Sequence, residues 1–490
     1  MSSRELSFDS HMSDTEALMW TVEKDPWLSS AMGTIVVLDT AIDYEDLLAR
    51  MSRAVAAIPR LRERVVSSLT GVAPPRWVAD AEFQLTDHIT EVSLAAPGTE
   101  RQLFDLAADI MTRPFDRTRP LWTFTVVQGL ANSDRRRKDR SALVIKLHHS
   151  VADGIGAIRL AEFYMDFERE TEVPDEVDLR ELIEQATEDK PSPDSFREVV
   201  TSSFGHLARR QLGLARRAAA EVALWGADPQ RIGGAVEGVR DVAKVLENQM
   251  GGMSGPGSSS DGADKGGSPL WRERSRHRHI EGFSIDLNAA LAAAKANGMK
   301  LNDVFVAGSI MAAMGYHAKR GVSVDQFNLS FVVSTRDDSG AGGNAFAPVM
   351  VSVPGEPLDA AAALALAQST MAEGKETAQG SASASTELLA GFATLLPTSV
   401  LTRTGRARSA HQDWATSNLR ASPITLYIAG GEITEIYPLG PVAGTAFNLT
   451  AMSYVDKLTI GLTVDPVAIE APGELRDHLI DAYAALLALN

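Results

Sequence analysis

Between Gly251 and Ser268 the chain reads GGMSGPGSSSDGADKGGS, a run of small and polar residues in which Met253 is the only large apolar side chain. Such a stretch buries nothing that could offset the entropy of ordering its backbone. It is expected to be a flexible linker. It splits the 490 residues into two parts, each of which needs a core of its own. On both sides short β-branched runs alternate with stretches of helical period, the pattern of α/β layers.

In the first part MGTIVVLD (Met32 to Asp39) reads as a strand. A helix is expected next, with Leu47, Leu48, Met51, Val55 and Ile58 on one face, and another over Leu103 to Met111, stopped near Pro114. LWTFTVVQGL (Leu121 to Leu130) and SALVIKLHH (Ser141 to His149) flank the polar ANSDRRRKDR, which suggests a hairpin. Arg135, Arg136, Arg137 and Lys138 then form its solvated tip, with a nucleotide-phosphate contact as the alternative. GIGAIRLAEFYMDF continues as a helix, and Phe196 to Trp225 is a long helical stretch carrying Arg197, Arg209, Arg210, Arg216 and Arg217.

Beyond the linker, IEGFSIDL and FNLSFVVST read as strands, LNAALAAAKANG as a helix ending at Gly298, and LDAAAALALAQSTMAEGK as a helix. ITLYIAGGEITEIYPL and YVDKLTIGLTVD look like antiparallel strands before a closing helix, ELRDHLIDAYAALLALN. VFVAGSIMAAMG (Val304 to Gly315) is the longest apolar stretch. It falls short of the roughly 20 residues a membrane-spanning helix needs, so a buried core helix is expected.

Composition removes several functions. A formal net charge of -17 repels phosphate backbones, so nucleic acid is not an expected partner. The absence of cysteine excludes catalytic thiols, thiolate zinc sites, iron–sulfur ligation and disulfides. It fits a reducing cytoplasm. The first twenty residues carry acidic and polar groups and no apolar signal core. There is no GxSxG elbow, HExxH helix, Walker loop or GxGxxG, which argues against hydrolase, metalloprotease, kinase and dehydrogenase chemistry.

One motif carries chemistry. His148, His149, Ser150, Val151, Ala152, Asp153 and Gly154 form HHxxxDG where the second hairpin strand turns into a helix. Neighbours on a strand point to opposite faces, so the two histidines cannot share a job and are poorly placed to chelate one metal. One is expected to face a cleft and the other a packed side. The alternative is that both are core histidines bonded to carbonyls. A neutral imidazole can take a proton from an alcohol that attacks a thioester, with no enzyme nucleophile. Asp153, four residues past His149, is better placed to hold the loop by pairing with an arginine, for which Arg62 and Arg64 are candidates. Gly154 allows a tight turn before the helix.

With the segments around it, the motif resembles that of the bacterial wax ester synthase/acyl-CoA:diacylglycerol acyltransferase family, within the condensation-domain-like, CoA-dependent acyltransferases. RWVADAEFQLTDHI (Arg76 to Ile89) looks like the family's histidine-bearing segment, here with His88. PFDRTRPLW carries the PLW motif as Pro120, Leu121 and Trp122, and NDVFVAG the ND motif as Asn302 and Asp303. VVSTR, GGNAFAPVMVSVP, TSNLRASP, YIAGGEITEIYPLGP and LTAMSYVDKLTIGLTVD resemble the C-terminal signatures. The sequence departs from the family pattern at Leu419-Arg420-Ala421 (usually Val-Pro-Gly), at Trp271 (often Asn), at Ser150 (commonly Ala), and in a longer linker.

The resemblance implies an α/β fold of two similar CoA-dependent-acyltransferase-like domains flanking a central channel. These are an N-terminal domain with HHxxxDG over residues 1–190, a helical segment and flexible linker over 191–268, and a C-terminal domain over 269–490. It implies acyl-CoA as co-substrate, no cofactor or metal, and a lipid alcohol, diacylglycerol or a fatty alcohol, as acceptor. His149 would be the base, with mainly structural roles for His148, Asp153, Gly154, Pro120, Leu121, Trp122, Asn302 and Asp303. From the residues themselves, Asn302 or Asp303 is expected as a helix N-cap, Trp122 as core packing and His88 as structural. Alternatives are a related acyltransferase with a glycolipid or polyketide alcohol acceptor, and a catalytically silent lipid-binding protein. The expected location is cytoplasmic. The Arg-bearing helix and Leu388 to Arg408 mix apolar and basic residues, so either could rest on the inner membrane surface or a lipid droplet, or simply pack on the protein.

Overall fold

A computed structural model describes residues 9–67, 74–132, 140–152, 154–189, 267–334, 346–380 and 397–489. The first part of the chain forms α1 (Asp14–Val22), β1 (Ala31–Leu38), α2 (Tyr44–Ala57), β2 (Glu63–Val66), β3 (Arg76–Ala79), β4 (Ile89–Ser93), α3 (Glu100–Thr112), β5 (Trp122–Leu130), β6 (Arg140–His148), α4 (Gly154–Ala161) and α5 (Leu179–Asp189). The second part forms β7 (His279–Asp286), α6 (Leu287–Ala296), α7 (Leu301–Lys319), β8 (Gln326–Ser334), β9 (Phe346–Pro354), α8 (Ala360–Gly380), α9 (Thr398–Ala410) and β10 (Trp414–Arg420). It continues with β11 (Tyr427–Ile428), β12 (Gly431–Leu439), β13 (Phe447–Tyr454), β14 (Lys457–Val464) and α10 (Pro472–Leu487). The basic loop 135–138, the helix expected over 196–225 and most of the Gly/Ser-rich stretch lie outside the described residues.

Local chemistry sets the element ends. Ser13 and Glu16 form a capping box on α1, and Thr99 and Gln102 form one on α3. The helical pattern that includes Ile58 is cut at Ala57, because the residue before Pro59 is pushed into extended backbone. Arg62 then folds back to donate to the carbonyls of Val55 and Ala56, satisfying the end of α2.

The apolar stretch Val304 to Gly315 lies inside α7, and Val304 to Ile310 are all buried. Gly308 permits this packing: a Cβ there would stand 2.3 Å from the Tyr483 ring of α10. Among the described residues no helix is long and apolar enough to cross a membrane.

Two six-stranded sheets result, ordered β11-β12-β1-β6-β5-β4 and β7-β14-β13-β10-β8-β9. In the first, β1 runs antiparallel to β6, with Ala31 opposite His148. Its other edge pairs antiparallel with β12, with Gly33 opposite Leu439. A strand from the last quarter of the chain therefore completes the first sheet. Directly after the undescribed stretch, the chain is fixed at once. Ser268 Oγ lies 2.6 Å from His317 Nε2, the Ser268 amide donates to Asp413, and Trp271 is buried against Tyr316, His317, Phe327, Trp414 and Phe447. Trp271, a departure from the family pattern, is thus the hub of an aromatic core.

β12 also lies against the second sheet. The Tyr454 hydroxyl donates to Ile433 O (3.1 Å), Lys457 Nζ to Thr434 O (3.3 Å) and Thr459 Oγ1 to Ile436 O. At Gly461 a Cβ would come within 1.9 Å of Pro438 O, so only glycine lets the two backbones approach this closely. Farther along, Arg101 of α3 donates to Glu281 (2.9 Å) and to Ile280 O (2.8 Å) of β7. The halves are thus joined by a ladder and ion pairs as well as by the covalent chain. Cutting the protein at a protease site engineered within residues 251–266 is expected to leave the two fragments co-eluting on size exclusion.

Candidate active site

Alternation along β6 sorts its side chains. Leu143, Ile145 and Leu147 join the core beneath α2, and Ala142 and Val144 the core beneath α3. Lys146 and His148 share the α3 face. His148 is fully buried, edge-on to Trp20 (6.3 Å) and Phe115 (5.9 Å). The Ser150 amide donates to its Nδ1 at 3.0 Å, and Ser150 Oγ lies 2.6 Å from the same atom. A backbone N–H can only donate, so Nδ1 carries a lone pair and the ring proton sits on Nε2. Nε2 faces the Glu23 carboxylate, which it meets closely but off the N–H axis. Ser150, another departure from the family, supplies both Nδ1 contacts.

His149 lies one residue past the end of β6, where its amide donates to Ser30 O at 3.1 Å. Its side chain is only half-buried. The Val151 amide then closes a turn onto His148 O (2.9 Å). Asp153 lies outside the described residues, and so does its pairing with an arginine. Arg62 is bonded to the carbonyls of α2, and Arg64 lies 3.9 Å from Asp80. Gly154 opens α4.

The PLW segment holds this strand end from the other side. Leu121 O accepts the His148 amide at 3.0 Å. Trp122 is fully buried, donates from Nε1 to Leu61 O (2.7 Å) and stacks on His88 at 4.5 Å. The Pro120 carbonyl accepts from the Trp122 amide at 3.0 Å. His88 Nδ1 donates to Trp122 O (2.8 Å), and burial holds its pKa below the usual histidine value. The site of His88 is the core, 3 % exposed.

The ND motif needs correction. The N-cap of α7 is Lys300, so neither Asn302 nor Asp303 is the cap residue. Asp303 serves the same end from the third helical position, accepting the Lys300 amide at 2.8 Å. Asn302 accepts from Asn418 at 3.3 Å, which brings the ND segment to TSNLRASP. Leu419 and Ala421 of that segment pack into the apolar cluster that also takes Val151, Ala157 and Ile158. The second half therefore shares an apolar core with the helix that follows the histidine pair. The described part of the second basic–apolar segment, α9, packs on the protein: Gly405 lies on Leu28, and Arg406 makes a two-pronged ion pair with Asp25.

Sequence reasoning missed three residues here. Glu23 and Ser30 lie more than a hundred residues before the motif and carry no spacing signal. Lys146 had one, a lone cation inside an apolar strand. Its ammonium donates to Ile110 O (3.0 Å) and Arg113 O and lies over the Phe115 ring. Burial depresses its pKa to about 8, against the pull of Glu23. Among the described residues no three acidic or histidine side chains are grouped to hold a metal.

A sheet completed by a distant strand, with the histidine pair at the end of its inner strand β6, is a fold shared with solved wax ester synthase and condensation-domain structures. The fold matches the wax ester synthase/diacylglycerol acyltransferase of Marinobacter aquaeolei VT8 with a TM-score of 0.63 and 19% identity, covering 97% of this chain and 98% of that one. It also matches a mutant starter condensation domain of rhizomide synthetase in complex with C8-CoA, with a TM-score of 0.52 and 13% identity over 98% and 95% of the two chains. At these identities both likenesses speak to the fold.

Within that class the family is defined by sequence. The wax ester synthase/diacylglycerol acyltransferase catalytic-domain profile matches residues 12–305, and the family's C-terminal-domain profile matches residues 342–487. The chain belongs to this family and is one of its acyltransferases. A Mycobacterium tuberculosis H37Rv protein named as a candidate diacylglycerol O-acyltransferase is 28% identical over 476 residues, covering 96% of this chain and 90% of that protein.

Two measurements check the supporting shell. Trp122→Ala removes a buried indole, its Leu61 bond and the His88 stack, and should cost about 3–5 kcal/mol in denaturant unfolding. Between pH 8 and 10.5 the unfolded chain holds the Lys146 proton while the folded one releases it, so stability from this group rises with pH. Wild type should therefore gain on Lys146→Met across that window, by up to roughly 3 kcal/mol.

Proposed function

We propose that this chain transfers a long-chain acyl group from coenzyme A to the hydroxyl of diacylglycerol or a fatty alcohol, making triacylglycerol or wax ester, with His149 as general base. The family and the names of its relatives support the class of acceptor, and the C8-CoA held by the structurally similar condensation domain supports the donor. One observation supports the choice of base: His148 is sealed in the core, whereas the neighbouring His149 is only partly buried, at a turn fixed through its backbone.

The chemistry follows from one imidazole. His149 accepts the hydroxyl proton as the alcohol oxygen attacks the thioester carbonyl. The tetrahedral intermediate collapses, the C–S bond breaks, and the imidazolium returns its proton to the departing thiolate. The products are an ester and free coenzyme A. No bond to the enzyme forms, in keeping with a chain that has no cysteine and no serine elbow. The donor and acceptor would meet in the channel between the halves. Peripheral contact with a lipid surface would deliver the acceptor.

The deciding assay follows coenzyme A release from a long-chain acyl-CoA with diacylglycerol, with a fatty alcohol and with neither. Release that depends on one of these acceptors supports the reading. His149→Ala should lower it at least a hundredfold with an unchanged circular dichroism spectrum. His148→Ala should act chiefly by lowering the unfolding midpoint. Undiminished turnover in His149→Ala would remove this residue as the base, and lipid binding without turnover in wild type would favour a silent binding protein.

A further inference from the structure

Glu23 stands in the turn after α1, in neither histidine's neighbourhood in sequence, yet it touches the surroundings of both. One carboxylate oxygen, Oε1, accepts from Ser29 Oγ (2.9 Å) and from the Ser30 amide (3.2 Å). The other, Oε2, faces His148 Nε2. Ser30 in turn offers its carbonyl to the His149 amide at 3.1 Å. One side chain therefore braces the first histidine directly and the second through a single residue.

We infer that Glu23 is a positioning residue for acyl transfer, fixing the tautomer of His148 and the backbone of His149. This rests on the proposed role of His149. Burial alone would raise the Glu23 carboxyl, but His148, Ser29 and Arg117 outweigh it and hold its pKa below the ordinary range. The carboxylate therefore stays ionised, with two acceptor oxygens available. Around it stand the imidazole of His148 and the ammonium of Lys146 from β6, and the guanidinium of Arg117, which lies over the Trp20 ring.

The geometry says why an amide cannot replace it. A glutamine has one acceptor oxygen and one donor NH2. If the oxygen stays on Ser29 and Ser30, the NH2 meets the Nε2–H of His148 and the imidazole must move its proton to Nδ1. There the proton would meet the Ser150 amide, which is also a donor. If the glutamine turns over, the Ser29–Ser30 arm breaks instead and the carbonyl under His149 loses its support. Either way one histidine is misplaced.

The test compares Glu23→Gln and Glu23→Asp with wild type by kcat and KM for both substrates, pH profile, and ring-15N spectra of histidine-labelled protein. Glu23→Gln should lower kcat at least tenfold while both KM values stay within twofold. Loss of the nearby negative charge should move the acidic limb of the kcat profile to lower pH. The 15N spectrum should show one buried imidazole changing from the Nε2–H to the Nδ1–H form or becoming heterogeneous. Glu23→Asp, which keeps charge and both acceptors, should recover part of kcat. A Glu23→Gln enzyme with wild-type kcat and pH profile would overturn the inference, as would a loss confined to KM. If wild type itself releases no coenzyme A, the acyltransferase reading fails. The 15N spectra then decide the role of Glu23 alone, and an unchanged imidazole signal overturns it.

Discussion

The pairing of β12 with β1 governs this molecule. β1 is flanked on one side by β6, which ends in the histidine pair, and on the other by a strand more than 390 positions later in the chain; the Glu432 amide reaches Asp39 across 393 residues. Each ladder bond is worth only about 1 kcal/mol net, but together they fix the register of both halves against one strand. A shift of one residue would invert every side chain of β12 between the two faces. It would also move Tyr437 off Phe104 and Gly282, where the second half meets α3. The position of the second half relative to His149 is thus written into a single sheet.

The second determinant is electrostatic. A glutamate, a lysine and an arginine lie close together around His148, beneath aromatic rings. Burying such charges is expensive, and apolar replacements of equal volume often do as well for stability. Their value here is directional. Lys146 satisfies carbonyls at the end of α3, and the Ser150 amide on one side and Glu23 on the other keep the His148 proton on Nε2. A hydrophobic plug would fill the space without specifying either.

Much of the architecture was legible from periodicity. The β5–β6 hairpin, the buried α7 and the closing α10 follow from alternation, apolar length and helical spacing. What periodicity does not carry is partner choice. The pattern of residues 431–439 says strand, but nothing in it says that the strand will leave the second half for the first. The N-cap of α7 was misplaced because lysine is not a capping residue, and Asp303 acts from inside the helix. HHxxxDG marks the candidate site, and His148 takes the packed position that alternation along β6 gives it. Glu23 and Ser30 stayed hidden because the turn before β1 reaches β6 only in three dimensions.

The immediate anchoring of Ser268 has a consequence for how such a protein can vary. From this residue onward the chain is locked by a buried serine–histidine contact, an aspartate and a tryptophan at the centre of an aromatic cluster. Among the described residues, the ladders of both six-stranded sheets pair strands that end by His148 or begin at His279 or later. Lengthening a tether between two fixed points costs little, about 0.6 kcal/mol for each doubling. A change in chain length ahead of Gly267 is therefore expected to leave the strand pairing on either side intact.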